Sequence, residues 1–193
     1  MTALDAQRTT ATPTEAALNK AIDEREKKAF EKAEQELKQA ISDIPELAKL
    51  SGQLIIDHTP EGMRIQLVDE ADRPMFKEGT SEPYARTRAI FNEISRVINK
   101  LPNRIAISGH TDAASFQGAN GYGNWELSMD RAMLSRRMLQ QTGVPETRFF
   151  EVAGKASTEP LFPEDPYLSG NRRISITMMR EEPALAPKAL RAN

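Results

Sequence analysis

Apolar side chains in the first part of the chain recur every three or four positions, which is the period of an amphipathic helix. The pattern predicts a helix from residue 18 to about residue 44, ending near Pro45 because proline disrupts a helix interior. Its apolar stripe consists of Leu18, Ile22, Ala29, Ala33, Leu37, Ala40 and Ile44. The other face carries charges of both signs, which is typical of a solvated surface. We therefore expect a connector helix that packs on a domain or pairs with a partner helix.

Between residues 52 and 180, short segments with alternating apolar residues are separated by two longer segments with helical periodicity. The predicted strands are 54–56, 63–67, 104–109, 148–152 and 173–179, and the predicted helices are 81–101 and 126–141. Pro83 marks the start of the first of these helices and Pro102 its end. The order β-β-α-β-α-β-β predicts an α+β fold, an α/β sandwich in which helices cover one face of a mixed sheet.

The same patterns divide the chain of 193 residues into four parts. Residues 1–17 are rich in Thr and Ala and are expected to be disordered or expression-derived, and residues 181–193 to form a flexible tail. Residues 18–50 form the amphipathic linker helix, and residues 51–180 form the folded domain. A chain of this length has room for one ordinary domain with such appendages.

Composition removes several classes of function. The 26 basic and 28 acidic side chains nearly cancel, so the overall charge gives no reason to expect nucleic acid as a partner. The absence of cysteine excludes disulfides, thiol nucleophiles and cysteine-based zinc sites. No run approaches the roughly 18 apolar residues of a membrane span, and the first residues lack the regions of a signal peptide. We expect a soluble chain with neither a metal nor a cofactor.

Arg131 is out of place in the apolar arc of the helix predicted at 126–141. Leu127, Leu134 and Met138 lie on the same side of that helix, and a guanidinium cannot lose its charge to enter an apolar environment. Asp112 stands nineteen residues earlier, where a predicted strand ends and a long loop with three glycines begins. If this loop folds back, the carboxylate and the guanidinium come to opposite rims of one pocket.

Two interpretations of this pair remain open on spacing alone. Asp112 and Arg131 could neutralise each other as a structural ion pair at the edge of the core. Alternatively, they could hold a zwitterion, with Asp112 binding an ammonium and Arg131 binding a carboxylate through two parallel hydrogen bonds. The second interpretation predicts recognition of an amino-acid head group and not of a phosphate.

Four separated motifs resemble the OmpA-like peptidoglycan-binding domain over about residues 52–180. They are GHTD at 109–112, NWELSMDRA at 124–132, VAGKAS at 152–157 and NRRISI at 171–176. Two longer stretches, RPMFKEG at 73–79 and GYGNWELSMDRAMLSRR at 121–137, are similar in particular to the MotB family of flagellar stator proteins. The resemblance implies non-enzymatic binding of the diaminopimelate in the peptide stem of the cell wall.

The resemblance also assigns expected roles to residues at the motif positions. Asp112 and Arg131 are the implied principal ligands, Asn124 is expected to orient the peptide, and Arg172 to add positive potential near a carboxylate. Thr111, Leu127 and Asn171 match motif positions as well. Leu127 and Asn171 are expected to shape the pocket, and for Leu127 a place in the core is the better interpretation.

The MotB resemblance further implies a homodimer, a periplasmic location, and a MotA-like stator partner that is contacted through a membrane helix absent from this chain. We accordingly expect a periplasmic fragment of a protein anchored in the inner membrane. The alternative within the same fold is a wall anchor of the outer membrane, of the OmpA or Pal kind.

The sequence gives weaker support for a metal site, a catalytic triad or a platform for stacking a sugar. His110 and His58 are 52 residues apart without the spacing of a metal site, so His110 is expected to be structural. Ser108, His110 and Asp112 cannot converge as a catalytic triad from one extended strand. Trp125, at the start of a helix, is expected to be a packing anchor rather than a platform for stacking a sugar.

Overall fold

The computed structural model describes residues 14–181, which form a mixed sheet of five strands with helices on one face. The strands are β1 (Leu54–Thr59), β2 (Gly62–Val68), β3 (Ile105–His110), β4 (Phe149–Gly154) and β5 (Arg173–Met179). The helices are α1 (Glu15–Asp43), α2 (Pro45–Ala48), α3 (Ala85–Ile98) and α4 (Asn124–Gln141). The predicted fold class and the predicted order of elements are confirmed.

The order of strands in the sheet is β1-β2-β5-β3-β4. Strand β5, the last in the chain, lies between β2 and β3 and runs antiparallel to both, while β3 and β4 are parallel. The C-terminal ends of β2 and β3 therefore meet the N-terminal end of β5 at the same end of the sheet. Residues that are far apart in sequence become neighbours there.

Alternation along the strands separates an apolar face from a polar one. The side chains that face the helices are at most 1% exposed: Met63, Ile65, Leu67, Ile105, Ile107, Ile174, Ile176 and Met178. Helix α3 covers them with Ile90, Phe91, Ile94 and Ile98. The opposite face of the sheet carries polar residues, including Gln66, Ser108 and Ser175.

Two glycines allow α4 to lie directly against β3 and β4. A Cβ atom at Gly109 would stand 2.1 Å from the carbonyl oxygen of Ser128, and one at Gly154 would stand 2.7 Å from the amide nitrogen of Met129. Larger residues would force the helix away from the sheet. This close approach determines the height at which Arg131, less than one turn further along α4, lies above the sheet.

Helix α1 packs on the domain through a stripe that differs in part from the predicted one. Phe30, Ala33, Leu37 and Ile41 are buried, whereas Leu18, expected in the stripe, is 50% exposed. Ile44, also expected in the stripe, is 37% exposed. Leu18, near the start of α1, and Ile44, the residue that caps its end, both stand outside the buried core.

Polar contacts fasten the middle of α1 to the domain. The buried carboxylate of Glu26 accepts hydrogen bonds from the side-chain amide of Asn103 (2.7 Å) and from the backbone N–H of Glu181 (2.8 Å). Further along, Glu34 lies 2.9 Å from the ring nitrogen Nε2 of His58. The predicted connector helix is thus packed against the sheet and α3 over more than half of its length.

The starts of α1 and α3 differ from their predictions for local reasons. Helix α1 begins at Glu15, because the hydroxyl of Thr14 accepts a hydrogen bond from Ala17 and caps the helix (3.4 Å). Helix α3 begins at Ala85 and not at residue 81, because the N–H of Tyr84 donates to the carbonyl of Met75 (3.0 Å) and holds this segment extended. The predicted disorder of residues 1–13 and the predicted flexibility of residues 182–193 lie outside the described residues.

The helices within residues 14–181 are all too short or too polar to cross a membrane.

Replacing Leu37 with alanine tests the packing of α1. Leu37 is completely buried, so Leu37→Ala is expected to lower the free energy of unfolding by about 2–5 kcal/mol through lost burial and a residual cavity. Leu18→Ala is the matched control on the same helix and is expected to change stability by less than about 0.5 kcal/mol. Urea denaturation measures both variants. Equally small effects at the two positions would mean that α1 does not pack on the domain in solution.

Candidate functional site

A charged cleft of about 480 Å³ opens at the end of the sheet where β2, β3 and β5 meet. Six of the seven predicted site residues line this charged cleft: Thr111, Asp112, Asn124, Leu127, Arg131 and Arg172. Its walls are completed by residues that include Asp69, Phe76, Tyr84 and Phe116. The seventh predicted residue, Asn171, does not line it. Strand order and the position of α4 therefore bring most of the predicted set together.

A row of alternating charges lies along the floor of the charged cleft. Arg172 precedes β5, Asp69 follows β2, and Asp112 comes two residues after the end of β3. The guanidinium of Arg172 donates from Nε to Asp69 Oδ2 (2.9 Å) and from Nη1 to Asp112 Oδ2 (2.6 Å). Asp112 Oδ1 also accepts from the N–H of Ala114 (3.1 Å). Both carboxylates are thus held in place by one arginine.

Arg131 faces this row but takes no part in it. Its side chain is 7% exposed, and its Nε donates to the backbone carbonyl of Thr80 (2.9 Å). The guanidinium carbon lies 5.0 Å from the centroid of the Phe76 ring, within the range of a cation–π contact. Among residues 14–181, no carboxylate lies within ion-pair distance of it. The interpretation of Asp112 and Arg131 as a mutual ion pair is therefore wrong, because Asp112 pairs with Arg172 instead.

Burial perturbs the ionisable groups of the charged cleft. Burial raises the pKa of Asp69, although hydrogen bonds from Met75 and Arg172 oppose the effect. Burial lowers the pKa of Arg131, with the charge of Asp69 acting in the opposite direction. For Arg172, burial acts to lower the pKa, but the hydrogen bonds that it donates to Asp69 and Asp112 outweigh this effect and the pKa is raised. Arg172 is paired with two carboxylates, whereas the desolvated Arg131 has no carboxylate within ion-pair distance among residues 14–181 and is affected by Asp69 only from further away.

The remaining predicted residues hold the loops around the charged cleft. Asn124 donates from its side-chain amide to the carbonyl of Ala114 (2.9 Å), which ties the start of α4 to the loop after Asp112. Thr111 is 3% exposed, and its hydroxyl donates to the carbonyl of Asp112 (2.9 Å). Leu127 is buried in the core and also contributes to the wall, which agrees with the expected core position.

Asn171 lies outside the charged cleft and forms hydrogen bonds to a nearby loop. Its Oδ1 accepts from the N–H of Phe162 (2.8 Å), and its Nδ2 donates to the carbonyl of Asp165 (2.8 Å). It therefore fastens the long loop between β4 and β5. A neighbouring part of the same loop reaches the charged cleft, because the carbonyl of Pro166 accepts from the N–H of Ala113 (2.9 Å).

Sequence reasoning missed two contributors to the charged cleft. Asp69 directly follows an apolar strand, just as Asp112 comes soon after one, and this shared position is a signal that the sequence does contain. The carbonyl of Thr80 carries no such signal, since any residue type offers a backbone oxygen. Phe76, a buried residue that also lines the charged cleft, is 3% exposed and lies beneath the guanidinium of Arg131.

The two histidines and Trp125 do not line the charged cleft. His110 lies on the polar face of the sheet, with Nε2 3.0 Å from the hydroxyl of Ser108, and Asp112 does not join them. His58 pairs with Glu34 near α1, so the two histidines are apart. Trp125 is 56% exposed, and its expected role as a packing anchor is wrong. It stands at the first turn of α4, beside Asn124 of the charged cleft.

A mixed sheet with helices on one face and a charged cleft at the end of its central strands defines a small α+β recognition domain. Residues 75–173 match the OmpA family, and the chain belongs to that family. The matched range contains Phe76, Asp112, Arg131 and Arg172, whereas Asp69 lies just before it.

Motility protein B of Escherichia coli strain K12 is a relative with 40% identity over 158 residues. The alignment covers 81% of this chain and 51% of that protein, so the chain spans about half the length of this relative.

Two solved structures share the fold. The periplasmic domain of Helicobacter pylori MotB superimposes with a TM-score of 0.56 at 21% identity and covers 68% of this chain and 82% of that one. The cell wall anchor of the T6SS from Pseudomonas aeruginosa gives a TM-score of 0.59 at 20% identity and covers 73% of this chain and 97% of that one. At such identities, what this chain shares with the two structures is the fold.

The buried His110 is expected to make the protein sensitive to acid. Burial, with a further contribution from the charge of Arg173, lowers the pKa of His110 to about 4 from its ordinary 6.5. Because the unfolded chain binds this proton at higher pH than the folded protein, stability is expected to fall as the pH drops from 6.5 to 4. The loss is on the order of 3 kcal/mol. His110→Gln is expected to remove this part of the pH dependence.

Urea unfolding between pH 4 and pH 8 measures the effect. His58→Gln is the matched control, because His58 lies on the other side of the sheet and is partly exposed. It is expected to retain the acid-dependent loss that His110→Gln removes. A His110→Gln profile parallel to that of the parent protein would contradict the assignment.

Proposed function

We propose that the charged cleft binds the peptide stem of peptidoglycan and that the domain anchors a flagellar stator to the cell wall. The observation that carries this proposal is the state of Arg131, a buried guanidinium that has no carboxylate within ion-pair distance among residues 14–181 and forms one wall of an open cleft. A cation in this state costs free energy in the absence of a ligand. A carboxylate from outside would offset that cost.

The bound group is proposed to be the amino-acid head of diaminopimelate, as the OmpA-like resemblance implies. Nη1 and Nη2 of Arg131 make no hydrogen bond to residues 14–181, and they offer the parallel donors that a carboxylate accepts. Asp112, across the charged cleft, keeps lone pairs beyond those used by Arg172 and Ala114 and would accept the ammonium. A cleft of about 480 Å³ is large enough for this head group and its neighbours.

The domain is proposed to act by binding and not by cleavage. Asp69 and Asp112 are both engaged by the guanidinium of Arg172, and no histidine among residues 14–181 lines the charged cleft beside them. His110, the other candidate for proton transfer, lines a different cavity.

The relatives support the proposed biological setting. Motility protein B supports a place in the flagellar motor, the MotB structure supports a periplasmic location, and the T6SS protein supports wall anchoring as a use of this fold. We infer that the full-length protein works with a MotA-like partner, forms a homodimer and is anchored in the inner membrane. The 40% identity to Motility protein B favours this setting over an outer-membrane anchor of the OmpA or Pal kind.

Arg131→Met tests the charged cleft without removing the packing on Phe76. Methionine keeps an apolar stem over the ring but removes the charge, so co-sedimentation with purified cell-wall sacculi is expected to weaken about ten- to hundredfold. The melting temperature is expected to stay equal or rise, since a desolvated charge is lost. Asp112→Asn is expected to weaken retention as well. Arg137→Met, at an exposed position of the same helix, is the matched control and is expected to pellet like the parent protein.

Retention of a folded Arg131→Met variant at the parent level would disprove the assignment of the charged cleft. A large loss of stability in this variant would instead indicate that Arg131 has a structural role. Wall fragments released during incubation would contradict a non-catalytic function.

Competition with free diamines tests the chemical class of the ligand. Free diaminopimelate is expected to displace the protein from sacculi at millimolar concentrations. Cadaverine, which has the same two amines and carbon spacing but no carboxylate, is expected to be much weaker because it offers nothing to Arg131. Equal displacement by both compounds, measured in the pellet at constant ionic strength, would rule out carboxylate recognition.

A further inference from the structure

A second cavity, of about 380 Å³, lies on the polar face of the sheet, away from the helices. Its floor is formed by small residues on the adjacent strands β3 and β5, among them Ala106, Ser108, Ser175 and Thr177. Longer charged side chains surround them: Arg64, Lys155 and Glu159. Small residues in the middle and large ones around them produce a depression in the sheet surface, the open-face cavity.

Arg173 lies in the wall of the open-face cavity. It is the direct cross-strand partner of His110 in β3. Although its side chain is charged, the residue is only 6% exposed. Burial in this position therefore requires partners for the guanidinium.

The partners of Arg173 within residues 14–181 are all neutral. Its Nε donates to the amide oxygen of Gln66 (2.9 Å), its Nη1 to the carbonyl of Asn171 (3.3 Å) and its Nη2 to the carbonyl of Glu159 (2.9 Å). The carboxylate of Glu159 is 3.2 Å from Lys155 and is engaged there. No carboxylate among the described residues therefore lies within ion-pair distance of Arg173, and the charge of Glu159 acts on it only from further away.

The unused donors of Arg173 have the geometry of an anion site. A guanidinium has five N–H groups, and three are used, which leaves one on each terminal nitrogen. A fork of donors on Nη1 and Nη2 can donate to the two oxygens of one carboxylate. Burial and the nearby charge of Arg64 lower the pKa of Arg173 to about 10, so the group stays charged at neutral pH.

A second unsatisfied group stands beside the fork. Nδ1 of His110 is buried and has no hydrogen-bond partner in the part of the chain that the structure describes. Buried polar atoms without partners are uncommon and destabilising. An oxygen bound next to Arg173 would lie beside this ring, because the two residues are cross-strand partners.

Charge complementarity favours a carboxylate over a phosphate. Glu61, Glu151 and Glu159 all line the open-face cavity. They would repel a dianion such as phosphate more strongly than a monoanion such as a carboxylate.

We propose that the open-face cavity is a second binding site, which takes a small carboxylate on the two free N–H groups of Arg173. The site lies on the other face of the sheet from the charged cleft and shares no lining residue with it. It does not depend on the function proposed for the charged cleft. A single domain would accordingly hold two carboxylates, one on Arg131 and one on Arg173.

NMR titration with acetate tests this site. Amide resonances are to be followed at pH 7 and constant ionic strength, in the parent protein and in Arg131→Met, so that binding in the charged cleft is identified separately. Saturable shifts are expected at residues 106–110 and 173–177 in both proteins, with a Kd on the order of millimolar for one bidentate pair. No saturable shift in this region, or shifts that disappear in Arg131→Met, would overturn the proposal and leave Arg173 a purely structural residue.

Gln66→Glu supplies the missing anion from within the protein. The new carboxylate has the shape of the amide that it replaces and lies at the Nε of Arg173, so acetate binding is expected to weaken about tenfold or more. The melting temperature is expected to stay equal or rise. Retention on sacculi, which reports on the charged cleft, is expected to remain at the parent level.

Arg173→Gln is expected to abolish the acetate shifts. If Arg173→Gln does not fold, Gln66→Glu still tests the site. Parent-like acetate binding by folded Gln66→Glu would overturn the assignment to Arg173. Inorganic phosphate, titrated at the same ionic strength, is expected to bind more weakly than acetate. Tighter binding of phosphate would overturn the carboxylate class.

Discussion

The insertion of β5 between β2 and β3 is the constraint on which both cavities depend. Since β5 runs antiparallel to its two neighbours, its first residues meet the ends of both. Arg172 and Arg173 are adjacent in sequence but diverge there. Arg172 bridges Asp69 and Asp112 in the charged cleft, and Arg173 lines the open-face cavity. Strand order therefore converts one Arg-Arg pair into parts of two different sites.

The structure tolerates two buried cations that stability alone would not favour. Arg131 and Arg173 are 7% and 6% exposed, and neither has a carboxylate partner among residues 14–181. The packing of Arg131 on Phe76 and the neutral hydrogen bonds of both guanidiniums reduce the desolvation penalty but leave the charge uncompensated. Proteins commonly retain groups that oppose good packing where those groups serve a function. By contrast, Arg172 has two carboxylate partners and needs no ligand to be stable.

The fold was largely predictable because its signals are local. The five strands, α3 and α4 were each located by the period of their apolar residues, and errors were confined to a few residues at their ends. The phase of α1 was less well predicted: Ala33 and Leu37 are buried as expected, but Phe30 and Ile41 complete the stripe in place of Leu18 and Ile44. Periodicity identifies an amphipathic helix, but the end of the domain determines which turns have something to cover. Trp125 was misjudged for the same reason, since a large ring is buried only where a neighbour stands over it.

What the sequence determined by itself was the type and order of the elements, and the presence of an acid after β3 and a cation within the apolar arc of α4. What only the tertiary structure decided was which charges meet. Arg172 contacts Asp69 across 103 residues and Asp112 across 60, and Arg131 contacts the carbonyl of Thr80 across 51. Helix and strand formation follow from interactions among near neighbours in the chain. Charge pairing instead depends on the order of strands in the sheet, which brings together residues that no local period relates.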